Sequence, residues 1–314
     1  MSDNLILLPH IRVQNANALS SPFTVGFPAM TAWLGAVHAL QRKLNRQEIP
    51  AAFSAVGVVV HHFDLQTYKG LGDFVHSIIG TGNPLEPKSE KGKPKGNAVR
   101  PSFIEEARCH LEASVIIEYS GIEAQDESLM LERVHQLLLG NIKLAGGDIL
   151  SCGVPEIVRD FDDLAKRKLM PGYALLERRD LMQETMEQGQ DAMDAMLDYL
   201  AIHHTSSKEE NDGEEHVRWQ SQRKATGSDG ERGWIVPIAT GFYGVSELGN
   251  ALNQRDPEVP HCFAESVVTL GEFKMPYHLK SPEDLLWRYH VAPENNLYLC
   301  IQQNFESETN HSDY

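Results

Sequence analysis

The amino-acid sequence predicts an α+β protein with a ferredoxin-like core, a long β-hairpin thumb inserted in it, and an additional mixed helical and strand C-terminal part. Three observations predict this. Hydrophobic periodicity over the first half changes in the order strand, helix, strand, strand, helix, strand, which is the ferredoxin-like arrangement. A long segment of glycine, proline and lysine separates the second strand from the third. Beyond Pro155 the pattern changes to a basic cluster, a Met-rich helical stretch and further strand-like segments. The chain is therefore divided into a core at residues 1–154 with a thumb at about 68–101, a helical and acidic segment at 155–216, and a strand and loop part at 217–314 packed on the core.

Residues 5–13 read as the first strand, and residues 14–28, QNANALSSPFTVGFP, as a polar loop punctuated by Pro and Gly. In the helix that follows, residues 31–46, Trp33, Val37, Leu40 and Leu44 form a stripe expected to face inward, with His38, Arg42, Asn45 and Arg46 on the other side. The runs at 55–64 and 110–119 are β-branched and read as strands two and three. Residues 127–139 carry Met130, Leu131, Val134, Leu137 and Leu138 at helical spacing, with Gly140 as the expected C-cap. A short strand then resumes over 143–150, around Gly146 and Gly147, completing an order that RRM domains share.

The insertion holds Lys69, Lys88, Lys91, Lys93, Lys95 and Arg100 against Asp73, Glu86 and Glu90. It reads either as a flexible loop or as a protruding hairpin whose apolar base, 74–79, pairs as strand while its basic tip approaches a phosphate backbone. Further on, Met182, Met186, Met193 and Met196 lie in a helical stretch, 180–202, interrupted by Gly189, and are expected as core or interface filler. Residues 206–215 read as an exposed acidic loop, 233–238 as strand-like, and the polar end from 306 as frayed.

Composition narrows the function. A net charge of -16 over 314 residues argues against a general nucleic-acid coat, because Lys and Arg supply most non-specific affinity for phosphates. The charge is nevertheless segregated. Residues 4–47 contain no Asp or Glu and carry Arg12, Arg42, Lys43 and Arg46, whereas residues 180–216 hold eleven acids against Lys208 alone. This permits a local anionic ligand near the N-terminal segment and a protein-facing or solvated acidic region elsewhere. Cys109, Cys152, Cys262 and Cys300 lie too far apart for a zinc knuckle or a small disulfide framework, and the His61-His62 and His203-His204 pairs lack partners at metal-ligand spacing. No metal or cofactor is expected. The apolar run at residues 5–8 is too short for a signal peptide or membrane span, so a soluble cytoplasmic protein is expected, with no membrane partner.

GxSxG, P-loop, HExxH and EF-hand signatures are absent from the sequence. Gly146-Gly147-Asp148 suggests the metal-binding turn of nucleotidyl cyclases and polymerase palms, but two-metal chemistry needs a second carboxylate and the second strand offers only Asp64, at its far end. His38 is a candidate base for metal-independent RNA cleavage, with nothing in the sequence to orient it. The loop is more informative. It clusters Gln14, Asn15, Asn17, Ser20, Ser21 and Thr24 without charge, and amides can read base edges while hydroxyls bind phosphates. Phe27 offers a ring for an unpaired base, and the helix after Pro28 offers free N–H groups to an anion. The alternative is a hydrogen-bonded Asx and Ser turn network.

These residues also carry a family resemblance. LPHIRVQNANALSSPFTVGFP followed by HALQR at 38–42 resembles the N-terminal signature of the type I-F Csy-complex subunit that binds the crRNA 5′ handle, a member of the RAMP superfamily. Asn83-Pro84-Leu85, EEARCHLEASVII at 105–117, LAGGDIL at 144–150, LMPGYALLERRDL at 169–181, WIVPI at 234–238 and DLLW at 284–287 continue it in order over nearly the whole chain. The resemblance implies a non-catalytic subunit that holds the handle, pairs with the large subunit, caps the backbone beside its first filament subunit, and meets target DNA only through the assembled complex. It places Gln14, Asn15, Asn17, Ser20, Ser21, Thr24, Phe27, His38, Gln41 and Arg42 at the RNA and implies that the insertion is a thumb, in which charge alone makes Lys93, Lys95 and Arg100 the RNA-binding candidates. A ferredoxin-like endoribonuclease or nucleotidyl enzyme is the alternative.

Overall fold

The computed structural model describes residues 4–80, 86–90, 93–99, 106–211, 214–226, 233–254 and 256–302. Its largest element is a sheet of 11 strands, mixed with few helices, in which every pairing is antiparallel among the described residues. The strands that matter for the site are β1 (Leu5–Asn17), β2 (Ala52–Leu65), β3 (Arg108–Ser120) and β4 (Gly147–Ser151), lying side by side in the order β4, β1, β3, β2. Helix α1 (Met30–Asn45) joins β1 to β2, and α2 (Glu127–Asn141) joins β3 to β4.

The apolar runs of β1, β2 and β3 do not alternate with polar residues, because their inner halves are buried on both faces. Ile6, Leu8, Val58, Val60, Val115 and Ile117 pack under the helices with Trp33, Leu40 and Leu44 of α1 and Met130 and Val134 of α2. Leu5, Leu7, Ala55, Val59 and Ile116 point the other way, onto Leu164, Leu169, Leu285 and Leu286. The predicted α1 stripe is the buried one, with His38 and Arg42 exposed. Gly57 of β2 makes room for the second layer, since a Cβ there would lie 2.5 Å from Leu285 Cγ.

Beyond the first four strands the sheet continues through β5 (Tyr173–Glu177), which sets Tyr173 opposite Val60 and Ala174 opposite Val59 of β2. It is extended by β6 (Trp234–Gly244), β7 (Ala264–Lys274), β8 (Arg288–Ala292) and β9 (Leu297–Ile301), in the order β5, β7, β6, β9, β8. Trp287 ties the two parts together: fully buried, it donates its indole N–H to Leu175 O at 3.0 Å, and its backbone bridges Val56. Helices α3 (Arg179–Glu187) and α4 (Ala192–Leu200), separated at Gly189 with φ +98, pack Leu181, Met182 and Tyr199 on Ile235 and Leu270. Met196 joins that cluster, while Met186 and Met193 are exposed.

Three local expectations are corrected. Gly140 does not cap α2, which runs on to Asn141 and stops at the extended Ile142. The acidic stretch is a ribbon, His203–Asn211 paired with Glu214–Gln222, because Asp212-Gly213 is the dipeptide that favours a tight hairpin. Of the apolar base at 74–79, Ser77–Ile78 pairs as strand, with Thr67–Tyr68. A turn closed by Asp73 Oδ2, accepting from Gly70 N at 2.8 Å, leaves Phe74 and Val75 outside that ladder and exposed. The basic cluster is neutralised where it stands, with Arg159 on Glu127, Lys166 on Asp162, Arg167 on Asp163 and Lys168 on Glu156. The end from 306 lies outside the described residues.

Candidate nucleic-acid interface

The candidate interface begins where β1 loses regularity. Register shifts between Leu8 and Ile11 and between Val13 and Ala16 put His10 and Asn15 at positive φ, 49 and 55, so the strand is bulged where polar residues occur. Arg12, Gln14, Asn15 and Asn17 are exposed there. Asn15 is held from three sides: its N–H donates to His110 Nδ1 at 3.2 Å, its Oδ1 accepts from Gln66 Nε2 at 2.7 Å, and its carbonyl accepts from Arg108 Nη1 at 3.2 Å. Asn17 clamps Leu19 with both amide atoms, accepting at 3.0 Å and donating at 3.1 Å.

The loop then folds into a small ribbon, Leu19–Ser21 against Thr24–Val25, and here most of the hydroxyls turn inward. Ser21 and Thr24 are buried and share a hydrogen bond of 2.7 Å, and Ser20 meets Thr24 at 2.9 Å. The two buried hydroxyls are engaged in turn chemistry. Phe27 is 7 % exposed, stacked on Trp33 at 5.4 Å and edge-on to Phe273 at 5.6 Å. The loop's exposed ring is Phe23, 72 % accessible at the turn between Ser21 and Thr24. Its signal was present in the sequence, since the two central residues of a Ser-Pro-Phe-Thr turn point away from the chain they connect.

A cleft of about 360 Å³ gathers Asn17, Ser20, Ala29, Ala32, Glu106, Arg108, Ala145 and Gly146. Helix α1 opens on it with Ala29 as N-cap, no side-chain cap and no acid in its first turn, so its first N–H groups and the positive end of its dipole face the cleft. Arg108 contributes the charge, paired with Glu106. The opposite wall is a tight turn, Ala145 at φ 48 and Gly146 at φ 74, closing the hairpin of Lys143–Leu144 with β4. Gly147 next to it cannot carry a side chain, because a Cβ would meet Gln14 O at 2.7 Å and Ala16 N at 2.8 Å. The Gly-Gly-Asp motif is thus accounted for by close packing against the loop, and Asp148 pairs with Lys143 at 2.8 Å.

The remaining predicted residues are elsewhere. His38 and Gln41 line a separate cleft of about 240 Å³ with Phe53 and Tyr289, and Gln41 Oε1 accepts from Phe53 N at 2.8 Å, fixing the start of β2. Arg42 is exposed in the last turn of α1, about 20 Å along the axis from Ala29 at ~1.5 Å per residue. In the insertion, the backbone pairing of Glu86–Glu90 with Lys93–Val99 sets Lys93 opposite Glu90 and Lys95 opposite Lys88. Arg100 lies outside the described residues.

Beside the loop, His61 donates Nδ1–H to Pro171 O at 2.7 Å, and its Nε2 lies 2.7 Å from the Ser114 hydroxyl, which can donate to the neutral ring. His10 stacks on it at 4.3 Å. Burial lowers the His61 pKa from the usual 6.5, opposed by the Pro171 hydrogen bond and reinforced by His10. Burial also pushes the Cys109 and Cys300 thiols up to about 12 and Cys152 to about 11, away from thiolate chemistry. No helix among the described residues is long and apolar enough to cross a membrane.

A family model described as CRISPR-associated protein (Cas_Csy2) matches residues 6–300. The chain is also 33 % identical over 323 aligned positions to the CRISPR-associated protein Csy2 of Pseudomonas aeruginosa (strain UCBPP-PA14), covering 94 % of each sequence.

Proposed function

Because the chain belongs to the Csy2 family of type I-F CRISPR-associated proteins, we propose that it is the non-catalytic subunit that binds the 5′ handle of crRNA in the type I-F surveillance complex. In this reading it sits in the cytoplasm, pairs with the large subunit, caps the filament beside its first backbone subunit, and meets target DNA through the assembled complex. The first four strands and two helices are read as a ferredoxin-like core of RAMP type, supported by the strand order β4, β1, β3, β2.

The observation that carries the proposal is the convergence, in one cleft, of the uncapped N-terminus of α1 with Asn17, Ser20, Arg108 and the Ala145–Gly146 turn. Helix N–H groups and a guanidinium bind phosphate, and exposed amides on β1 set register. A non-catalytic role is supported by the placement of His38, which lines another cleft about 14 Å along α1 from Ala29. Ultraviolet crosslinking of RNA in the complex assembled with its partner proteins tests the assignment. RNA-bearing peptides from residues 14–29 and 105–110 are expected. Crosslinks confined to α3, α4 and the 203–222 ribbon would overturn it.

A further inference from the structure

The end of the same loop opens on a second concavity, separate from the α1 cleft. Val25, Gly26 and Phe27 form one side of a cavity of about 350 Å³ whose other walls come from β2, β5, β6 and β7. That volume is within the ~300–1,000 Å³ range of small-ligand sites. Aromatic rings line it. Trp234 is centred 5.3 Å from Tyr173 and 5.2 Å from Phe273, and Phe63 lies 6.2 Å from the buried Phe27. Phe63, Tyr173 and Trp234 are 38 %, 37 % and 52 % exposed.

Charge distinguishes this cavity from the other large one on the sheet. The cleft beside β5 and β7 is lined by the acids Glu177, Asp180, Glu272, Glu283 and Asp284 against the bases Arg178 and Lys274, a balance unfavourable to a polyanion. Among the described residues the aromatic cavity has no carboxylate on its walls, and His61, His62 and Tyr173 are its titratable side chains. We propose that this cavity takes one unpaired nucleobase of the RNA strand that the adjoining loop binds, stacked on the Trp234 and Phe63 rings. The inference rests on the RNA reading above and adds to it the chemical class of the ligand at this point. Every base has a π-face, so such a pocket holds a base without demanding a particular sequence. Its position at the end of the loop allows a strand leaving the α1 cleft to turn a base inward.

The experiment uses the complex assembled with its partner proteins and single-stranded handle RNA carrying 2-aminopurine at successive positions. One position is expected to lose fluorescence on binding. Trp234→Ala is expected to restore that fluorescence and to weaken binding roughly 5- to 150-fold without changing the salt slope, because stacking releases no counterions. Phe63→Leu keeps apolar bulk but removes a ring, and is expected to reproduce part of the loss. Arg42→Ala is the contrasting control, expected to lower the salt slope and leave the quenched position unchanged. No quenched position, or unchanged affinity in Trp234→Ala and Phe63→Leu, would overturn the base pocket while a changed slope in Arg42→Ala left the RNA reading standing. Loss of a partner protein from the Trp234→Ala complex at unchanged RNA affinity would show that a protein side chain fills the cavity, again overturning the proposal. A complex that retains no RNA in any form would overturn the reading on which it rests.

Discussion

At the last turn of α1, Arg42 is exposed and far along the axis from the cleft that gathers Arg108 and Asn17. If the strand follows the helix from one to the other, Arg42 neutralises a single phosphate. Arg42→Ala is then expected to lower the slope of log K against log salt by about 0.7 for single-stranded RNA, measured on the assembled complex. An unchanged slope removes Arg42 from the interface. His61 makes a different prediction. Its folded pKa is depressed below 6.5 by burial, so as pH falls from 6.5 the unfolded chain takes up a proton before the folded chain does. Stability present above that pH is lost as pH falls, and the part due to His61 should vanish in His61→Asn. Denaturant titrations over the pH unit below 6.5 would contradict this if both proteins gave the same slope. Residue type was legible in the sequence and orientation was not. The amides of Gln14, Asn15 and Asn17 are exposed as expected, whereas Phe27 lies in the core because Trp33 and Phe273 close around it, contacts that local spacing cannot show.

Elements with strong local periodicity were the readable ones. The Trp33, Val37, Leu40 and Leu44 stripe and the break at Gly189 both stand where apolar spacing and a helix breaker put them. Elements decided by turn chemistry were misread, since ten polar residues suggested a loop where the Asp212-Gly213 dipeptide supports a ribbon. Gly147 tests how far one element positions another. Gly147→Ala presses a methyl group against the backbone of Gln14 and Ala16, so the loop or β4 must shift. A loss of about 1–3 kcal/mol in unfolding free energy is expected, together with weaker RNA retention. Full stability with unchanged retention would mean that the loop is not held from this side.

On the scale of the whole molecule, pairing of β2 with β5 makes one sheet of the two halves, a long-range contact that no local pattern announces. The charge, by contrast, was visible from the start. A chain of net charge -16 offers a polyanion only local attraction, from an acid-free N-terminal segment and one helix end. Tight holding is therefore expected to need a second surface, which would make each further contact effectively intramolecular. The most direct test is titration of handle RNA at fixed salt with this chain alone, with the large subunit, and with a filament subunit also present. The account predicts weak binding by the isolated chain, tight binding once the large subunit is added, and no turnover of the RNA in any of the three. Equally tight binding by the chain alone, or multiple turnover of the RNA, would contradict it.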